Sequence, residues 1–208
     1  MPEGLEVHAL AYAIQKIGIP CQSYGKHLYI NGRDLSFGLM GKVKLNNGII
    51  EKTGNHWMTG YNVACPTAED LVLTNRLGMN YATATIDDLE TIIHKWGKSK
   101  RKLAVLLLDQ SHIAGIGVAW GSEICHKSGL NPNLPANKQC LDNLAATMIE
   151  IRDTTWNIYK DYIDKCQSLE DFVNEWFDNL YGIRQMVVYK KGTKLEIASR
   201  NWWMGAIN

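Results

Sequence analysis

Leu5, Val7, Leu10, Ala13, Ile14 and Ile17 recur at steps of three and four. That is the period of a helix with one apolar face, so residues 3 to 17 are expected to form an amphipathic helix ended by Gly18 and Pro20. The period then shortens. From Cys21 to about Thr85 the chain runs through short alternating stretches, HLYI, LSFGLM, KVKL and MNYATAT, punctuated by the turn pairs Asn31-Gly32 and Asn47-Gly48. Alternation sets successive side chains on opposite faces of a strand, which predicts five to seven short antiparallel strands in a small sandwich or barrel. Helical spacing returns at Asp87. DDLETIIHKW, LAVLLLD, GVAWGSEICHKSG, a long stretch from Asn137 to Cys166 and SLEDFVNEWFDNL make five expected helices. Two strand-like runs around Lys191-Gly192 close the chain as a hairpin. Helix, strands, helices and hairpin in that order mean an α+β fold. An N-terminal helix and antiparallel β-sandwich lobe precede a helical lobe that ends in a β-hairpin. The boundary between the lobes is placed within Thr85 to Gly97.

Composition narrows the class. Over 208 residues, 46% hydrophobic and 21% charged positions can bury a core, which sets disorder and fibrous classes aside. Even an apolar run such as Leu103 to Leu108 is far below the roughly 20 residues a membrane helix needs, and the start lacks a signal-peptide pattern. An intracellular chain is expected. The five cysteines are scattered, with no CxxC, and the six histidines form no HxxxH or HxH pair. Free thiols are therefore expected, and no metal site. Net charge is only +1, but it is unevenly spread. Residues 95 to 102 (KWGKSKRK) hold five bases and no acid. Residues 184 to 200 carry +4, and residues 140 to 180 carry −6. One charged working face and an opposite outer face would follow, with a polyanion on the first; plain solvated surface charge is the alternative.

Two stretches could do chemistry. Methionine before a small residue such as Pro2 is normally removed, leaving a secondary amine that titrates near pH 8 and is partly neutral at physiological pH. Attack on an aldehyde carbon by that amine gives an iminium ion, with Glu3 and Glu6 close by to move protons. The plainer alternative is a proline that opens a helix, with acids near its positive end. The second stretch is residues 106 to 133, LLLDQSHIAGIGVAWGSEICHKSGLNPN. An apolar helix end runs through Gly115 and Gly117 into a new helix near Val118, a backbone arrangement suited to holding a phosphate; a plain helical corner is the alternative.

Together the two stretches resemble the formamidopyrimidine-DNA glycosylase and endonuclease VIII family. MPEGLEV is similar to its MPELPEV start, and residues 106 to 133 are similar to its helix–two-turn–helix. The resemblance implies three parts: a catalytic β-sandwich domain over 1–90, a helix–two-turn–helix DNA-binding domain over 91–180 and a β-hairpin over 181–208. It implies a bifunctional DNA glycosylase and abasic-site lyase of base excision repair, monomeric, with no metal or organic cofactor. Its partner would be double-stranded DNA holding a damaged base or abasic site, wherever in the cell DNA lies. Pro2 would attack C1′ of the damaged nucleotide, and the Schiff base would lead to β,δ-elimination. Glu3 would be the acid/base, Lys26 of YGKHLYI a proton donor and phosphate contact, and Glu6 and Glu123 acids that shape the site. Gly117 and its neighbours would hold a phosphate. Met40, Arg76 and Leu77 would fill the gap left by the flipped nucleotide, although core packing is the alternative for Met40 and Leu77. No cysteine follows Cys166, so VVYKKGTKLEIASRNWWMG resembles the family's zincless finger, with Arg200 at its tip. Trp202 and Trp203 would supply packing, or stack on bases.

The sequence departs from the family pattern at three places. Val118 stands where the family has a phosphate-contacting asparagine, a loss of about 1–2 kcal/mol in binding. Leu5 replaces the second proline of the start. About ten residues separate Trp176 from Met186, too few for a long lesion-capping loop, which favours oxidised pyrimidines or further-oxidised purine products. Retained Met1 would block the Pro2 amine. Two rival readings stand beside the enzyme: a catalytically idle relative that only binds damaged or abasic DNA, and an RNA- or ribosome-associated protein, which would leave Pro2, Glu3 and Lys26 without a joint purpose.

Overall fold

The first helix is buried almost all round. In the computed structural model, which describes residues 2–30, 32–37, 43–46, 49–52, 59–64, 69–70, 72 and 76–205, α1 spans Gly4–Lys16 and hides Leu5, Val7, Ala9, Leu10, Ala11, Ala13 and Ile14. One apolar stripe would not need so many faces covered. The reason is position: α1 packs against the sheet and against three later helices. Ile17, expected inside the helix, is its C-cap.

The strands that follow are β1 (Cys21–Tyr24), β2 (His27–Ile30), β3 (Arg33–Phe37), β4 (Val43–Asn46), β5 (Ile49–Lys52), β6 (Thr59–Ala64) and β7 (Met79–Asn80). Four form one antiparallel sheet in the order β1-β2-β3-β6, while β4 and β5 form a separate ribbon. Cys21 faces Ile30 and His27 faces Ser36 across the ladders. No closed barrel forms among the described residues. MNYATAT, expected as a strand, is extended only at Met79–Asn80, because the Asn80 carbonyl accepts from the amides of Thr83 and Ala84 and turns the chain.

The helical part comprises α2 (Ile86–Trp96), α3 (Leu103–Leu107), α4 (Val118–Lys127), α5 (Leu144–Asp164), α6 (Leu169–Asn174) and α7 (Trp176–Ile183). α2 starts at a capping box between Thr85 and Asp88 and buries Leu89, Ile93 and Trp96 at helical spacing. The long helix begins at Leu144, later than expected, after a 3-10 turn at Ala136–Lys138. SLEDFVNEWFDNL breaks into α6 and α7 at Glu175. Among the contacts that tie these helices to the sheet lobe are two made outside α1. Asn174 Oδ1 accepts from the Leu45 amide at 2.8 Å, and β7 pairs in parallel with β8 (Ile113–Ala114). One continuous apolar core runs from Leu5 to Trp202.

The closing hairpin is displaced from its expected register. Its strands are β9 (Thr193–Ile197) and β10 (Arg200–Met204), joined by Ala198 and Ser199 at φ 50° and 58°. Positive φ at both turn positions matches the right-handed twist of a two-residue hairpin. Residues 187–189 cannot form the first strand because the Glu123 carboxylate accepts all three of their amides, at 2.7–2.9 Å. Trp202 is fully buried and rests on Gly121, where a Cβ would lie 2.9 Å from the indole ring. The packing expected of Trp202 is therefore present. Trp203 is half-buried, edge-on to Tyr189 at 4.7 Å. Among the described cysteines all are free, and Cys140 is exposed.

Candidate active site

Three glycines decide what meets at the start of the chain. Gly4 donates to the Gly115 carbonyl at 2.7 Å, and Gly115 sits at φ 107° with the Cα atoms of Gly4 and Gly25 next to it. A Cβ on Gly115 would lie 3.1 Å from Gly4 Cα and 3.2 Å from Gly25 Cα. Backbone can approach backbone this closely only without side chains. The start of α1, the β1–β2 turn and the turn before α4 are thereby brought to one point. Asn80 and Gln110 fix two of the three from behind. Asn80 Oδ1 accepts from the Gly25 amide, and Gln110 Oε1 accepts from the Gly115 amide while its Nε2 donates to the Ile116 carbonyl.

Glu3 lies at this junction, 1% exposed. Its carboxylate accepts from the amides of Gly117, Ala119 and Trp120 at 2.9, 2.9 and 3.1 Å. These are the free amides at the start of α4, where negative charge is favoured. The anion expected at Gly117 was a phosphate; the structure puts the chain's own carboxylate there. A Cβ on Gly117 would lie 2.4 Å from Glu3 Oε1, so the glycine makes room for Glu3. Burial pushes the Glu3 carboxyl above the usual carboxylate range. The neighbouring Glu6 adds to this, and the Lys26 ammonium and the Ala119 and Trp120 amides pull against it.

Glu6 is equally buried but differently paired. Its Oε2 accepts from the Glu3 amide at 3.0 Å and closes the first turn of α1. Its Oε1 accepts from Tyr159 Oη at 3.1 Å and from Arg184 at 3.2 Å. The Arg184 guanidinium lies over the rings of Trp120, Tyr181 and Tyr189 at 4.5–5.8 Å. A buried carboxylate with a buried, ring-stacked arginine holds its charge in place. Neither Arg184 nor Tyr159 was expected at the site; the first stood only in a charge count, since 178 residues separate it from Glu6.

Lys26 sits in the two-residue turn between β1 and β2 after Gly25, which has φ 55°. It lines a cleft of about 550 Å³ together with Phe37, Arg101, Gln110, Gly117 and Arg200, among others. Arg101 also donates to Asp109 at 3.0 Å. Three of the expected residues, Lys26, Gly117 and Arg200, thus share one concave surface. Pro2 is buried beside Glu3. Arg76 is exposed at φ 50° and Leu77 is half-buried. The Gly78 amide just after them donates to the carbonyl of Gln110, a residue that lines the cleft. Met40 lies outside the described residues. Glu123 does not line the cleft; its carboxylate accepts from the amides of residues 187–189, just before the hairpin. Among the described residues no cluster of three or more His, Cys, Asp or Glu could hold a metal, and no helix is long and apolar enough to cross a membrane.

No protein-family model matches the sequence. A formamidopyrimidine-DNA glycosylase from Lactiplantibacillus plantarum is 39% identical over 88 residues, which cover 42% of this chain and 26% of that protein. The match therefore spans about a quarter of the curated relative. Solved structures match over nearly the full chain. One is LlFpg in complex with a THF-DNA and an inhibitor, at 15% identity and a TM-score of 0.72, covering 99% of this chain and 98% of that one. Another is the wild-type Lactococcus lactis protein with DNA containing an oxidised pyrimidine, at 14% identity, a TM-score of 0.72 and 98% coverage of both chains. The fold of this chain is that of the formamidopyrimidine-DNA glycosylases.

Proposed function

We propose, with the formamidopyrimidine-DNA glycosylase fold as premise, that this protein is a DNA glycosylase of base excision repair that also cleaves abasic sites. The single observation that supports the reading is the three-glycine junction, where Glu3 takes the amides of Gly117, Ala119 and Trp120 and Gly117 lines the cleft with Lys26, Arg101 and Arg200. The cations would hold the phosphates of a bent strand and the flipped nucleotide would enter the cleft. Glu3, kept protonated to higher pH by its burial, would give its proton to the sugar ring oxygen as the ring opens. The Pro2 nitrogen would form a bond to C1′ as the bond to the base breaks, and the base would leave with a proton. Loss of a proton from C2′ of the iminium would then expel the 3′ phosphate, and a second elimination the 5′ phosphate. Lys26 would contact the phosphate and supply a proton. Arg76 and Leu77, which precede Gly78, would fill the vacated stack. Residues 184–186 lead directly from α7 to the hairpin anchor, with Arg184 turned in to Glu6, so no long loop caps the lesion. This favours oxidised pyrimidines or further-oxidised purine products.

The deciding experiment incubates the protein with abasic-site duplex and sodium borohydride, with intact-mass analysis to show whether the chain begins at Pro2. The expected result is a covalent protein–DNA adduct that is lost in Pro2→Gly with a retained or extended N-terminus, which leaves no free amine at that position. Val118 at a position for a phosphate-contacting side chain favours one other reading, recognition without catalysis. That reading gives a gel shift and no adduct.

A further inference from the structure

The cleft accounts for Arg101 but not for the run of cations on either side of it. Lys95, Lys98, Lys100, Arg101 and Lys102 are all exposed, and among the described ion pairs only Arg101 has a partner, Asp109. Loops crowded with like charge normally splay apart, yet this one is tied down along its length. The Ser99 amide donates to the Trp96 carbonyl at 2.8 Å, and the Asn137 and Ala136 amides donate to the carbonyls of Ser99 and Arg101 at 3.0 Å. Ser99 Oγ accepts from the Arg101 amide at 3.1 Å. Lys102 bridges Pro135, and Leu103 donates to the Leu134 carbonyl. Trp96 is buried beneath, its indole N–H donating to His112 at 3.1 Å. Among the described residues the mutual repulsion of these cations is thus borne by the folded state with an ion-pair partner for Arg101 alone, an arrangement that an external polyanion would relieve.

We propose that residues 95–102 form a preordered phosphate-binding rail that carries the duplex flanking the lesion out of the cleft. This rests on the DNA-glycosylase reading and extends it beyond the site of chemistry. Arg101 belongs to both surfaces, since it lines the cleft and stands in the middle of the run. From Lys98 to Lys102 the backbone can reach at most about 14 Å, roughly the axial rise of four phosphates on one strand. The rail reads no sequence, because phosphate contacts position a duplex without specifying its bases. Its backbone is fixed before binding, so less ordering entropy is lost when DNA arrives.

The test measures affinity for an undamaged duplex of about 30 base pairs as a function of salt, for the full chain and for Lys98→Ala/Lys100→Ala/Lys102→Ala. Each lost phosphate contact lowers the slope of log K against log salt by about 0.9, so the triple variant should lose about 2–3 units of slope. Its affinity at 0.1 M salt should fall on the order of 10²-fold. Borohydride trapping at saturating abasic DNA stays unchanged, because these lysines lie outside the Pro2 and Glu3 site. Lys127→Ala/Lys165→Ala, exposed cations elsewhere that pair with Glu150 and Asp161, leaves the slope unchanged. An unchanged slope in the triple variant overturns the rail while leaving the glycosylase reading intact, and so does an equal drop in the control variant. Wild-type protein that binds duplex with no salt dependence overturns both. Lys98→Gln/Lys100→Gln, with its thermal melt, gives the same answer should the alanine variant fail to fold.

Discussion

At Glu3 two opposing demands act on one carboxyl group. Three amides at the start of α4 favour its anion, and complete burial favours its acid. Lys26 shifts that balance towards the anion from the opposite side of the site. Removing the lysine charge therefore raises the Glu3 value further. If protonated Glu3 opens the sugar, activity is lost as pH rises through that value. Lys26→Gln should then move the alkaline limb of single-turnover base release to higher pH, while the maximal rate falls roughly 10²-fold through the lost proton donor. A limb that stays in place, or moves down, contradicts the coupling. Glu6 differs from Glu3 because a buried arginine accompanies it. Neighbouring acids on one helical turn were legible in the sequence, but their different partners were not, since Trp120, Tyr159 and Arg184 come from distant segments.

Among the elements, α4 ties together segments from opposite ends of the chain. Its first turn holds Glu3, Gly121 seats Trp202, Ser122 accepts from the Trp203 amide, and Glu123 takes the amides of residues 187–189. One ten-residue helix therefore positions both the start of the chain and the hairpin that carries Arg200. Glu123→Ala would leave three amides without their acceptor and should cost about 3 kcal/mol or more. A denaturant melt followed by tryptophan fluorescence would read the loss, and DNA affinity should fall with it as Arg200 loses its support. A cost below about 1 kcal/mol would show that the hairpin holds by Trp202 packing alone. The strand-like run after Gln185 misled for this reason: Val187 and Val188 have strand-forming side chains, but a carboxylate from α4 takes the amides a ladder would need. Turn chemistry misled as well. Ala198 and Ser199 adopt positive φ without a glycine, while the glycine that marked the expected turn lies at residue 192.

Across the whole molecule, the glycine junction fixes how the sheet lobe and the helical lobe meet. Gly115→Ala would add a Cβ at a positive φ against two backbones, which should destabilise by about 2–4 kcal/mol from strain and overpacking together. Its denaturation midpoint should drop accordingly. Adduct formation with abasic DNA should fall more than the folded fraction does, because the site spans the junction. An Ala variant with unchanged stability would mean that the lobes meet elsewhere. The β7–β8 pair and the Leu45–Asn174 contact reinforce the same join.

The sequence by itself determined the order of helix, strands, helices and hairpin, the α4 start at Val118 and the residues at which to seek chemistry. Periodicity and glycine placement are local properties, and local energetics follow them. Tertiary structure decided which anion fills the α4 N-terminus, which arginine neutralises Glu6, and that Glu123 holds a hairpin. Those outcomes depend on which distant donors and acceptors share a buried volume where each unpaired group carries a large penalty, and no spacing along the chain records that pairing.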